Sequence, residues 1–90
     1  MNLEKTFKAL ADKTRREILN MLRDGPLSAG EISDKFNMSK ATTSYHLSIL
    51  KDADLIIDNK EKNFIIYSLN ASIFEEVVGY IMNFLERDQV

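Results

Sequence analysis

Residues 37–50 read NMSKATTSYHLSIL. Leu47 and Leu50 stand at core spacing, yet Lys40, Thr42, Thr43, Ser44, Tyr45, His46 and Ser48 crowd the same segment with hydrogen-bonding groups. At about 100° per residue along a helix, Thr43, Leu47 and Leu50 fall on one side, with His46 at its edge. Ala41, Ser44, Tyr45 and Ser48 fall on the other side, flanked by Lys40 and Lys51, with Thr42 in the first turn. A solvated helix face ordinarily carries Glu and Lys. This one carries small hydroxyls and an aromatic ring bracketed by lysines. Small side chains allow close approach to a major groove, hydroxyls and a Tyr OH meet base edges and phosphates, and lysines meet phosphate. The segment therefore reads as a helix with two working faces, one for a core and one for DNA.

Working outward, Ser39 suits the cap of this helix, which the pattern places at about 40–53. Asn37-Met38 forms a tight turn before it. Ser28-Ala29-Gly30-Glu31 is a capping-box pattern that opens a preceding helix at about 29–36, with Ile32 and Phe36 inward. Leu27 suits a very short strand. Gly25-Pro26 stops an earlier helix over Lys13–Arg23, which Asp12 caps and whose apolar stripe is Thr14, Ile18, Met21 and Leu22, with Leu19 beside it. Leu3, Phe7, Leu10 and Ala11 mark a first helix over 2–11. Downstream, the β-rich runs Leu55–Ile57 and Phe64–Leu69 flank the polar stretch Asp58–Asn63, a hairpin whose charged tip carries Lys60 and Lys62. Asn70 suits the cap of a last helix over 71–87.

Two helices joined by a short turn, the second followed by a β-hairpin, make a winged helix-turn-helix. The expected fold is α+β, mainly α, with five helices and a hairpin wing in a single domain over residues 1–90. The hairpin directly after the fourth helix favours DNA binding over an unrelated helical bundle.

Composition narrows the function classes. The chain has 90 residues, 44% of them hydrophobic and 29% charged, which suits one globular domain. It has no cysteine, which removes disulfides, thiolate metal ligands and thiol switches. The N-terminus has no signal-peptide pattern and no segment approaches the roughly 20 apolar residues of a membrane span, so a cytoplasmic protein is expected. The net charge is −2, which by itself disfavours nucleic acid. The acid is concentrated late: residues 1–62 hold 11 Lys/Arg against 10 Asp/Glu, and residues 63–90 hold one Arg against four acids. Lys13, Arg15 and Arg16 form a basic cluster in the first half.

In the last helix, Ile73, Phe74, Val77, Val78, Ile81, Phe84 and Leu85 are apolar, with Tyr80 and Met82 at the margins. They cover far more than the ~100° stripe that docking on one core requires. A second copy is the simplest sink for the excess, with Leu3 and Phe7 of the first helix joining the interface, so a homodimer is expected. An enzyme is not. Ser44 and Ser48 each lie two residues from His46 and point away from it, and no glycine loop is suited to cradle a phosphate.

The segments FKALADKTRREILNML (7–22), LSAGEISDKFNMSKATTSYHLSILKDADLI (27–56) and IIYSLN (65–70) resemble the ArsR family of bacterial winged-helix repressors over nearly the whole chain. Within it, the likeness runs most strongly to the small autorepressors of the sporulation-delaying toxin system. The resemblance implies that Ser39, Lys40, Ser44, Tyr45, His46 and Ser48 occupy DNA-reading positions, that the target is a palindromic operator in double-stranded DNA, and that the protein represses transcription, including its own. Three positions depart from the family pattern. Lys13 stands where proline is common, Asp54 where a glycine often ends the recognition helix, and Asn59-Lys60-Glu61-Lys62-Asn63 where the wing usually has a glycine. Asp tolerates a left-handed backbone better than most residues, and Asn59 or Asn63 can supply the positive φ of the wing.

Many members of this family sense metals through cysteines in the third helix or histidines and carboxylates in the last. Here the third helix is AGEISDKF, and the last helix offers only Glu75, Glu76, Glu86 and Asp88. These are hard oxygen ligands, whereas transition metals prefer imidazole or thiolate. No metal effector and no cofactor is expected. Release from DNA is then left to a regulatory protein partner, a modification or the protein's own abundance. The competing reading is a winged helix that serves as a protein-interaction module without binding DNA, which the acidic isoelectric point favours.

Overall fold

The computed structural model describes residues 1–86. Five helices and three strands follow in the order α1 (Leu3–Leu10), α2 (Lys13–Arg23), β1 (Leu27–Ser28), α3 (Ala29–Phe36), α4 (Lys40–Asp52), β2 (Ile56–Glu61), β3 (Phe64–Leu69) and α5 (Ala71–Met82). The last expected helix is thus shorter than 71–87, ending at Met82, and position 87 itself lies outside the described residues.

Local chemistry sets most of the helix starts. The Asp12 carboxylate accepts from the Arg15 N–H at 3.0 Å. Ser28 and Glu31 form the reciprocal box, with Ser28 Oγ accepting from the Glu31 N–H and a Glu31 carboxylate oxygen accepting from the Ser28 N–H. Asn2 caps α1 by accepting from the Lys5 N–H. Asn70 occupies the cap position of α5 but does not cap it. Its side-chain amide donates instead to the Asp54 carbonyl at 2.9 Å, which corrects the expected role.

The end of α4 aims the chain into the wing. Leu55 N–H donates to Leu50 O at 3.1 Å and Asp54 N–H to Lys51 O at 2.9 Å, with Asp54 at φ 58. This is the Schellman pattern, with aspartate at the left-handed position that glycine usually takes. Leu50 and Leu55 are both fully buried, the hydrophobic contact that accompanies this motif.

The sheet is antiparallel in the order β1-β3-β2. Leu27 pairs with Tyr67, and β2 pairs with β3 from Ile56↔Leu69 to Glu61↔Phe64. The wing therefore differs from expectation. Asp58, Asn59, Lys60 and Glu61 belong to a strand rather than to a loop, and the turn is only Lys62-Asn63. The β-favouring run Phe64–Tyr67 supplies a ladder that overrides the poor strand propensity of its polar partners. Lys62, and neither asparagine, takes the positive φ, at 53°.

Beneath the sheet, Ile18, Leu22, Ile32, Leu47, Leu50, Leu55 and Ile56 form one core, with Leu19 and Ala9 in it and Phe36, Tyr67, Ile73 and Phe74 packed against it. Each large aliphatic side chain removed from water contributes about 1.5–3 kcal/mol. Helix α1 meets α5 through the rings of Phe7 and Tyr80, whose centroids are 6.4 Å apart.

Candidate nucleic-acid interface

The turn between α3 and α4 is built by Asn37, a left-handed residue at φ 53, with the Met38 N–H bonded to Ser33 O at 3.1 Å. Ser39 then caps α4: its Oγ accepts from the Thr42 N–H at 3.1 Å and donates to Thr42 Oγ1 at 2.9 Å. Buried Thr43 fastens the two helices together. Its hydroxyl donates to Ser39 O at 3.0 Å and accepts from the Ser33 hydroxyl at 2.7 Å. Periodicity placed Thr43 inward; the matching burial of Ser33 has no signal in an apolar stripe.

Helix α4 is two-faced as expected. Thr43, Leu47 and Leu50 are buried, whereas Ser39, Lys40, Ala41, Thr42, Ser44, Tyr45 and Ser48 are exposed. Tyr45 leaves 59% of its surface open, a large aromatic on a helix with a core of its own to serve. Ser48 donates its hydroxyl to Tyr45 O at 2.9 Å, and the rings of Tyr45 and His46 meet edge-on at 5.4 Å. The positive end of the helix dipole lies at Ser39 and Lys40.

His46 stands apart from this exposed set. Its side chain is only 12% exposed and its Nδ1 lies 3.3 Å from Nη1 of Arg15 and 4.0 Å from the Asp12 carboxylate. Arg15, one of the three residues of the basic cluster, is itself buried. Its guanidinium donates to Ala9 O at 2.9 Å and Lys8 O at 3.0 Å, satisfying carbonyls at the C-terminus of α1. Arg16 does the same for Leu10 O at 2.8 Å. Two of the three basic residues of that cluster thus stitch α2 to α1. The backbone N–H of Arg15, helped by the Arg15 charge, holds the Asp12 carboxyl below its ordinary range against the opposing effect of desolvation.

Lys51 is likewise engaged. Its Nζ donates to a carboxylate oxygen of Asp58 on the wing at 2.8 Å. That bond raises the lysine pKa and lowers the aspartate pKa. Lys60 and Lys62 are exposed on the wing, one on the strand and one in the turn.

The residues expected at a dimer interface divide. Val77 is buried within the protomer, and Leu3, Ile73 and Phe74 are half-buried, the last two against the protomer's own core. Phe7, Val78, Ile81, Phe84 and Leu85 remain 42–73% exposed. Tyr80 stacks edge-on against Phe84 at 5.2 Å and so joins Phe7 to the segment just past the end of α5.

A capped helix-turn-helix with a polar outward face and a hairpin beside it defines the winged-helix transcriptional regulators, a regulatory rather than catalytic class. Residues 12–58 match the bacterial regulatory proteins of the arsR family, and the chain belongs to that family. It is 41% identical over 85 residues to the transcriptional repressor SdpR of Bacillus subtilis (strain 168), covering 94% of each chain. Its fold matches the crystal structure of an ArsR family transcriptional regulator with a TM-score of 0.82 at 27% identity, over 96% of this chain and 93% of that one. It also matches the homodimeric winged helix-turn-helix DNA-binding domain of a possible ArsR-family regulator from Mycobacterium bovis, with a TM-score of 0.74 at 26% identity, over 98% of this chain and 85% of that one.

Proposed function

We propose that the protein is a homodimeric transcriptional repressor that reads a palindromic operator through the outward face of α4. The observation that carries this reading is the exposed row Lys40, Ser44, Tyr45 and Ser48 on a helix whose opposite row is buried. In this arrangement Ser44 and Tyr45 contact bases, Lys40 meets phosphate with Ser39, Ala41 and Thr42 close to the backbone, and Lys60 and Lys62 reach the DNA beside the main groove. His46 holds the helix from behind. Repression, as opposed to activation, rests on similarity to SdpR, which is named a repressor.

The exposed apolar residues of α1 and α5 support the dimer, as does the homodimeric Mycobacterium bovis domain of the same fold. A twofold dimer that places its recognition helices about 34–36 Å apart requires a site of matching symmetry. No metal effector is assigned. The chain has no cysteine, and its one histidine faces an arginine. No helix among the described residues is long and apolar enough to cross a membrane, in keeping with a cytoplasmic regulator.

Selection of bound fragments from random duplexes, followed by a salt titration on the selected site, tests the reading. The expected result is one enriched inverted repeat, bound by a dimer in sedimentation and unaffected by zinc, copper or cadmium. No enrichment with a folded dimer would sink the DNA reading and leave a protein-interaction module in its place.

A further inference from the structure

The Lys51–Asp58 pair joins the last turn of the recognition helix to the wing. Alternation along β2 places Asp58 and Lys60 on one face of the hairpin, with Tyr67 and Ile65 as their cross-strand partners. An acid therefore sits between two cations of the proposed DNA surface. Lys40, Lys60 and Lys62 form no ion pair among the described residues, so Lys51 alone of these four lysines is held.

Stability does not account for the pair. The two side chains are 55% and 32% exposed, and ion pairs so close to solvent contribute little. Attachment of the wing does not account for it either. The Leu55 and Ile56 side chains are buried, and Asn70 bonds both Asp54 O and Leu55 O. What the carboxylate does supply is an anionic oxygen at hydrogen-bond distance, which is the group a DNA phosphate would supply to the same ammonium.

We infer that Asp58 is a specificity-determining residue, which keeps Lys51 from indiscriminate phosphate contact by standing in for a phosphate oxygen. Binding to arbitrary sequence is made almost wholly of phosphate contacts. In a loosely seated complex, a free lysine on its four-carbon stem finds a phosphate in any register. In the seated operator complex, base contacts fix α4 and Lys51 remains on Asp58. The withheld cation thus weakens the wrong complexes more than the right one. This inference rests on the DNA-binding reading above.

The test is Asp58→Asn, an isosteric change on the surface, with thermal melting to confirm an intact fold. Affinity for a random-sequence duplex should rise about fivefold at moderate salt, and the salt dependence should steepen by roughly one phosphate contact. Operator affinity should rise by much less, so that the specificity ratio falls by nearly the same factor. Adding Lys51→Gln to Asp58→Asn should cancel the gain. The inference is overturned by an unchanged salt dependence, by equal gains on both duplexes, or by a gain that survives Lys51→Gln. A wild-type protein that binds no duplex at all would overturn the DNA-binding reading, and this inference with it, whereas binding by the wild type without the Asp58→Asn effect removes only the latter.

Discussion

The guanidinium of Arg15 on α2 faces Nδ1 of His46 on α4 at 3.3 Å. An arginine has no lone pair to offer, so this contact is a hydrogen bond in the neutral tautomer that leaves Nδ1 free to accept. Arg15 also holds Ala9 O and Lys8 O, so one side chain connects the end of α1 to the back of the recognition helix. Replacing Arg15 with alanine takes the guanidinium from Ala9 O and from the ring nitrogen of His46, while Lys8 O keeps the Ala11 N–H. Chemical denaturation should show a loss of about 3 kcal/mol, in line with hydrogen bonds to a charged group. His46→Asn places an amide oxygen near the position of Nδ1 and should keep most of the stability and the operator preference. His46→Asn binding with an altered base preference would instead make His46 a reader.

The Ser33–Thr43 hydroxyl pair gives a second test, this one on the α3–α4 joint. Thr43→Val preserves shape but leaves the buried Ser33 hydroxyl without its acceptor, which should cost about 1–2 kcal/mol. Adding Ser33→Ala removes both polar partners and should recover most of that loss. Urea melts of the two single variants and the double variant decide it. Strict additivity would mean that the two hydroxyls are not energetically coupled.

Both joints show where sequence reasoning reaches and where it stops. The caps at Asp12, Ser28 and Ser39 were legible because a cap and its recipient lie three residues apart, and the buried face of α4 was legible because Thr43, Leu47 and Leu50 repeat with the helix. Arg15 was not, since its acceptors are carbonyls six and seven residues earlier that only the α1–α2 turn brings within reach. The strand through Asp58–Glu61 was hidden for a related reason: its stability comes from its partner strand and not from its own polar residues. The width of the apolar face of α5 overstated the surface left for a partner, because Val77 is already buried within the protomer. The exposed row of candidate DNA contacts was read from the sequence with its partners missing, as Lys51 and His46 illustrate.

Acid should loosen the α1–α2 corner. The folded-state pKa of Asp12 is depressed, chiefly by the Arg15 N–H it caps. A depressed carboxyl contributes stability that is fully present above its unfolded pKa, near 3.9, and is lost as pH falls through the lower folded value. Stability from this group should therefore be flat from neutral pH down to the ordinary carboxylate range and decline below it. Asp12→Asn, which still caps, should flatten that acid limb, and Asp12→Ala should lose about 1 kcal/mol at neutral pH as a missing N-cap. Denaturation midpoints measured across pH 2–7 (about the range in which carboxylates titrate) check both; an acid limb identical in Asp12→Asn would remove Asp12 as its source.

The DNA face itself is tested by contrasting Tyr45 with Lys40. Tyr45 projects from the middle of the outward row of α4, whereas Lys40 stands at its first turn, beside the Ser39 cap. A base contact discriminates between sequences and a phosphate contact does not. Tyr45→Ala should therefore weaken operator binding by about 1–3 kcal/mol while leaving random-duplex affinity nearly unchanged. Lys40→Ala should weaken both duplexes alike and reduce the salt slope by about one phosphate contact. Neither residue is part of the core, so both variants should fold and dimerise as the wild type does, and sedimentation verifies this before binding is measured. Equal losses on the two duplexes for Tyr45→Ala would make it a backbone contact and shift base reading toward Ser44. If Ser44→Ala and Tyr45→Ala together leave both affinities unchanged, α4 does not read the sequence.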